Sequence, residues 1–335
     1  MDNKLTKKRL HDMLSYEWIF MIVMCVISII IWEIMYSVGS VKLTAGQRFR
    51  YYYDYTIFPA GNTEFRRELV DRDTFSYDVL KLGTESISKD HNVLTNRLAI
   101  QEGDVIFTDL FGIKEYKDSL AKDEIPTEGV RAFSIIDTVD YKIGAIEVMF
   151  ENAKKYLKDN FFVDTYNEGT DGYGAENIDQ AKVKKVFLSR NGKDNRFRKT
   201  SAINKGIEQE KQRIVKLCEN VVFMQEFFNK PKYSDALVRY TRFSQSYELT
   251  KDVLPNNYEK WLNNEKTQGR EDLIYGINLG KLSGGKNITD FMQYKEDEKF
   301  TDIVVLAFDF SSYQPHLQYE SLSFICSTIR ICIGE

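Results

Sequence analysis

The sequence predicts an α/β fold in which one N-terminal transmembrane helix is followed by a large extracytoplasmic domain. Three observations carry that reading. Residues 18–32, WIFMIVMCVISIIIW, hold no charge, and Lys4, Lys7, Lys8 and Arg9 precede them. Between residues 48 and 109, strand-like and helix-like segments alternate with short connections, the pattern of parallel strands joined by crossover helices. An amphipathic stretch, NRLAIQEGD, runs through Gly103-Asp104 directly into the apolar run Val105-Ile106-Phe107.

The first element is the anchor. Trp18 and Trp32 would stand about 21 Å apart on a helix, and residues 34–38 add another turn toward the ~30 Å hydrocarbon core. Tryptophans suit the two interfaces, and Glu17 and Glu33 fall near the surfaces. The basic residues place residues 1–14 in the cytoplasm, 15–38 in the membrane and 41–335 outside. A cleaved signal peptide is the main rival, since Ser37 and Gly39 follow the apolar run. A buried core helix is the third alternative.

The bulk composition suits a globular domain. The 335 residues are 43% hydrophobic and 29% charged, enough for a substantial core. A net charge of −4 argues against nucleic acid as the main partner. Four cysteines form no disulfide framework: Cys25 falls in the anchor, and Cys326 and Cys332 would lie on different faces of one helix.

Residues 48–58 read as an aromatic strand, 59–72 as a turn and charged helix, and 76–86 as a strand. Residues 92–103 place Val93, Leu94, Leu98 and Ile100 broadly on one face, with Gly103 as a left-handed C-cap. Asp104 then opens the strand 104–109. Residues 48–58, 77–82 and 104–108 are expected to be adjacent parallel strands, with both faces of the sheet covered.

This opening, SYDVL followed by RLAIQEGDVIFTD, resembles the first lobe of a type II periplasmic or extracellular solute-binding protein of the carbohydrate ABC transporter type. The resemblance covers roughly residues 48–110. It implies a two-lobed domain, with lobe one about 45–115 plus C-terminal segments and lobe two about 130–255. It further implies ABC permease subunits as partners and a sugar or other small polar solute as ligand. Two departures, a short external part and a membrane tether, leave open a reduced relative: a non-binding subunit that docks on a transporter or sensor.

The later segments follow in order. Residues 131–150 read as strand-rich, 151–162 as a helix, and 167–177 as an acidic, glycine-rich loop. Residues 181–199 are expected to begin as a strand and turn basic. A long helix covers 203–228 with Ile207, Ile214, Leu217, Val221, Val222 and Phe228 on its stripe, and 233–249 and 256–266 continue helically. Residues 301–310 read as a buried strand and 319–333 as a closing helix.

Chemistry-bearing motifs are sparse. The loop DGYGAENID lacks the order of a calcium loop. LSGGKN (282–287) lacks a P-loop frame. The basic run from Lys182 to Lys199 could meet anionic groups, but it also reads as a solvated edge. Outside the anchor, His91 and His316 have no catalytic or metal-binding spacing, so no enzyme, cofactor or metal is expected. A ligand in an open α/β sheet is expected at the carboxyl ends of the strands. That nominates Asn62, Glu85, Asp109 and Asp309. Trp261 and Tyr275 are the candidate stacking aromatics.

Overall fold

The computed structural model describes residues 7–8, 11, 18–39, 47–60, 64–88, 92–100, 102–110, 135–136, 142–192, 194–240, 273–295, 301–309 and 318–335. They belong to two units, Met1–Thr44 and Ala45–Glu335. In the first, α1 (Trp18–Gly39) spans 22 residues, or about 33 Å at 1.5 Å per residue. Its stretch Trp18–Tyr36 is long and apolar enough to cross a membrane, and none of that stretch is buried. Ser28 Oγ donates to the Met24 carbonyl at 2.8 Å, which satisfies the hydroxyl within the helix.

The second unit runs β1 (Arg48–Tyr53), β2 (Ile57–Pro59), α2 (Glu64–Asp71), β3 (Lys81–Ser86), α3 (Asn92–Ala99), β4 (Val105–Asp109), β5 (Ile143–Gly144), α4 (Ile146–Asn160), α5 (Gln180–Asn191) and α6 (Thr200–Asn229). It continues with β6 (Leu237–Tyr240), β7 (Leu273–Asn278), β8 (Met292–Tyr294), β9 (Ile303–Phe308) and α7 (Gln318–Ile333). Among the described residues, β3-β1-β4-β9-β7-β6 form one sheet, with β5 also paired to β9. The strands β3, β1 and β4 are parallel, with Tyr51 opposite both Thr84 and Val105. β9 returns antiparallel to β4, Val105 facing Ala307, and β7 is antiparallel to β9.

Side chains alternate between the faces of a strand, and here they separate two cores. Phe49, Tyr51 and Tyr53 join Val105, Phe107, Val305 and Ala307 under α2, α4, α6 and α7. Tyr52, Ile106, Val304, Leu306 and Phe308 face the other way, against Leu94 and Leu98 of α3. Both faces are therefore covered, and β4 and β9 are buried at every position, Thr108 and Asp109 at the end of β4 included. The first core is densely aromatic: Phe324 of α7 lies 5.2 Å from both Phe49 and Tyr51, ring centre to ring centre.

Gly103 and Asp104 have different work from that expected of them. The helix ends earlier, at Ala99, and Gly103 adopts φ +145°, outside the left-handed helical cap conformation. A Cβ there would stand 2.7 Å from the Tyr52 ring, so the position requires glycine for close approach. Asp104 donates its amide to the Arg50 carbonyl, and its side chain accepts the Arg50 amide at 2.7 Å. Its carbonyl accepts from Phe308, so one residue ties β4 to both neighbours.

Other expectations are corrected. The strand 48–58 breaks at Asp54, whose carbonyl accepts from Ile57, and β2 joins a separate two-stranded sheet with β8. The second strand starts at Lys81, not 77. Residues 181–191 are helix, because Asp179 caps the amides of Ala181 and Lys182 and Val183 and Phe187 share one buried face. Residues from Ile146 are helical, with Ile146, Met149, Phe150, Ala153 and Leu157 buried. Residues 231–236 form a 3₁₀ turn that feeds β6 in place of a continuing helix. The segment 256–266 lies outside the described residues. Helices α4 and α6, expected in a second lobe, pack in the same core as β1 and β4.

Candidate functional site

The expected site at the strand ends does not assemble as a group. Asp109 closes β4 opposite Ile303, but β9 is antiparallel, so Asp309 lies at the other end of the sheet. Six residue steps, about 20 Å, separate those positions along β9. Asp309 instead donates its amide to the Lys142 carbonyl. Glu85 lies within β3 and accepts from Arg50 at 3.1 Å, with Arg97 at 3.6 Å. Glu102 binds the same arginines and Arg48, so this network joins β1 and β3 to the exit of α3. Tyr275 is 8% exposed and packs in the α3-side core. Asn62 and Trp261, like His91 and His316, lie outside the described residues.

The polar side chains at these carboxyl ends engage one another. Thr108 Oγ1 donates to Asp54 Oδ2 at 3.1 Å, and both residues are fully buried. Asn278 Nδ2 donates to Asp302 Oδ1 at 2.9 Å, and Lys281 pairs with the same carboxylate.

The sequence motifs also have structural roles. In the acidic loop, Glu168 accepts from Tyr173 and Lys158, and Asp171 accepts the Asn167 amide. No group of three or more His, Cys, Asp or Glu among the described residues could hold a metal ion. In LSGGKN, the amides of Gly285 and Lys286 donate to the carbonyls of Cys332 and Ile331, closing the end of α7. From the basic run, Arg190 and Arg196 both pair with Asp78.

A ligand-sized space lies elsewhere. Arg213, Leu217 and Asn220 recur at helical spacing along α6 and face Tyr319, Glu320 and Ser323 of α7. Residues 73–77, the turn between α2 and β3, form the third wall, and the three enclose a groove of about 770 Å³. The turn leads to Leu80, whose amide donates to the Gln47 carbonyl beside the start of β1. The groove therefore sits at the amino ends of β1 and β3, opposite the end where a ligand was expected.

Its floor is polar and built on buried charge. Glu210 accepts from Arg213 at 2.9 and 3.0 Å, from Arg190 at 3.0 Å and from Tyr77 at 2.8 Å. Burial opposes its charge, but these cations and hydrogen bonds outweigh it and hold the carboxyl down at about 2. Arg213 also reaches the Tyr156 hydroxyl. Glu320 accepts the Ser76 amide, and burial pushes its carboxyl above the usual range against the pull of Arg213. Ser323 Oγ donates to the Thr74 carbonyl at 2.7 Å.

Two polar atoms in this floor have no hydrogen-bond partner: Thr74 Oγ1 and Asn220 Nδ2, on residues each 1% exposed. Asn220 Oδ1 does accept from Arg330, which orients the amide. Sequence reasoning missed all of these residues. The available signal was polar Glu210, Arg213 and Asn220 interleaved with the apolar stripe of α6. No protein-family model matches the chain, and neither a curated protein nor a solved structure matches it.

Proposed function

We propose that this chain is a membrane-tethered solute-binding protein that presents a sugar or other small polar solute to ABC permease subunits. The residues before α1 face the cytoplasm and the α/β unit lies outside. The groove beside α6 carries this reading, because its volume falls in the range of small-molecule sites and its lining sets Phe75, Tyr77 and Tyr319 among mostly polar side chains. The α1 span and the parallel β3-β1-β4 strands flanked by antiparallel β9 are consistent with it. The second reading is a docking subunit that binds no solute. The mutual pairing of Asp54 with Thr108 and Asn278 with Asp302 favours it, since those strand ends are occupied by their own side chains.

The test is a thermal-unfolding screen of the full chain in lipid nanodiscs against sugars, amino acids and polyols. A ligand at a hundredfold excess over Kd adds about 2.7 kcal/mol to stability. An upward shift with one chemical class supports the receptor, and no shift leaves the docking subunit. Protease added to spheroplasts should remove the α/β unit and leave a short anchored fragment. Protection of that unit would refute the orientation.

A further inference from the structure

We propose that the basic surface made by α5, residues 194–199 and the start of α6 docks on anionic phospholipid headgroups and so seats the α/β unit on the bilayer. Residues 180–207 hold nine Lys or Arg and a single acid, Asp194, in a chain whose net charge is −4. The fold divides these cations into two sets. Lys182 pairs with Asp164, Arg190 with Asp78 and Glu210, and Arg196 with Asp78 and Asp194. Lys184, Lys185, Arg198, Lys199 and Lys205 are exposed and have no ion pair among the described residues. Gly206 draws the three elements together, since a Cβ there would collide with the rings of Phe187 and Phe197. Val183 and Phe187 are buried, which turns Lys184, Lys185 and Leu188 outward, and Leu188 is 42% exposed. Clustered charges of one sign repel one another, and an anionic surface offsets that repulsion.

The place of this surface in the chain points to its partner. The α1 stretch Trp18–Tyr36 is long and apolar enough to cross a membrane. Residues 40–46, about 25 Å at full extension, are all that separates α1 from Gln47 in sequence. Gln47 Nε2 donates to Asp194 Oδ2 at 3.5 Å, so the chain enters the α/β unit beside residues 194–199. The Gln47 carbonyl accepts the Leu80 amide, and Leu80 is 44% exposed next to exposed Lys81. Cations spread around single exposed leucines suit a bilayer interface, where the charges meet phosphates and the leucines reach the acyl boundary. A protein interface is depleted of charge at its centre, which this surface is not.

The experiment places the full chain in nanodiscs of phosphatidylcholine, alone or with one-third phosphatidylglycerol, and follows lysine acetylation by mass spectrometry. Lys184, Lys185, Lys199 and Lys205 should react severalfold more slowly in the anionic discs, while exposed Lys155 on α4 keeps its rate. Raising salt from about 0.1 M to about 1 M shortens the screening length from about 10 Å to about 3 Å and should restore the faster rate. Each Lys or Arg near an anionic surface strengthens binding roughly fivefold. The double variant Lys184→Gln, Lys185→Gln should therefore bind roughly twenty-five-fold more weakly and free Lys199 and Lys205 for reaction. Both substitutions are on exposed side chains, and an unchanged melting temperature shows that the variant is folded. Equal rates in the two kinds of disc overturn the proposal, and so does equal slowing at Lys155. If heparin protects these lysines in phosphatidylcholine discs while phosphatidylglycerol does not, the surface takes a soluble polyanion and the lipid assignment falls. No solute enters any of these measurements, so they stand or fall apart from the receptor reading.

Discussion

Asp104 holds β4 to β1 and β9, yet it does so with a carboxyl that burial strongly opposes ionising. Its side chain accepts one backbone hydrogen bond, from Arg50, and the rest of its surroundings are protein. Burial raises its carboxyl to about 7; the Arg50 amide bond and the Arg50 charge pull the other way, and Glu320 adds repulsion. In the unfolded chain the group ionises near 3.8. A folded pKa above the unfolded one means that the folded state holds the extra proton between those values. The cost of Asp104 is therefore absent below about pH 4, grows as pH rises and is complete above pH 7. Three units at 1.36 kcal/mol each give a ceiling of about 4 kcal/mol. Asp104→Asn keeps an oxygen for the Arg50 amide and cannot ionise. Its stability should match that of the parent at pH 4 and exceed it at pH 8 by an amount on the order of 1–4 kcal/mol. Urea unfolding of both proteins at half-unit steps from pH 4 to 8 measures the difference. Parallel profiles, or a deficit that widens with pH, would refute the reasoning.

Gly103→Ala should destabilise by about 3 kcal/mol, because a Cβ at φ +145° meets the buried Tyr52 ring; a melting temperature unchanged within a degree would show that the backbone can relax. Glu210→Gln leaves Arg213 buried without its counter-charge and should cost about 3–5 kcal/mol at neutral pH in denaturant titration. Since the Glu210 carboxyl is held at about 2 against 4.5 unfolded, its contribution is present above pH 4.5 and lost as pH falls toward 2, so acid should narrow the gap between variant and parent. Thr74→Val removes a buried hydroxyl that has no partner and should raise stability by roughly 1 kcal/mol without solute, or about 2 °C by differential scanning calorimetry.

The elements legible in the sequence were those where one signal dominates. The apolar β9 lies where pattern placed it, the α6 stripe holds at Ile214, Leu217 and Val221 but not at Val222, which is exposed, and β1, β3 and β4 are adjacent and parallel. Residues 181–191 misled because Lys-Val-Lys-Lys-Val-Phe alternates loosely like a strand, whereas the deciding feature was the Asp179 cap just before it. Periodicity also carries no direction. A buried strand reads the same whether parallel or antiparallel, so nothing in residues 301–308 warned that Asp309 would end far from Asp109. The groove was less visible still, since its walls come from residues 73–77, 208–220 and 319–323. What could be read was a local inconsistency: Glu210, Arg213 and Asn220 on the inward side of an otherwise apolar helix.

That inconsistency bears on which end of the sheet holds the site. Burying Glu210 and Arg213 is costly, and well-packed apolar residues would commonly serve the fold as well or better. At the strand carboxyl ends Asp54 pairs with Thr108 and Asn278 with Asp302, while Thr56 Oγ1, just past the end of β1, has no hydrogen-bond partner. At the amino ends the chain goes further. It invests Glu210 with three donors, keeps Glu320 buried beside Ser76, and leaves Thr74 and Asn220 each with one unpaired atom in the same floor. A purely structural network would close on itself, because each open buried group subtracts stability without strengthening a contact. The two open atoms here lie behind the groove that Thr74 and Asn220 help to line, shielded from solvent, between a turn pinned by Asp78 and two helices that share a core with the sheet. The floor is preformed, since Arg330 holds the Asn220 side chain, the Ser76 amide holds the Glu320 carboxyl and Ser323 holds the Thr74 backbone, so little ordering would remain on binding.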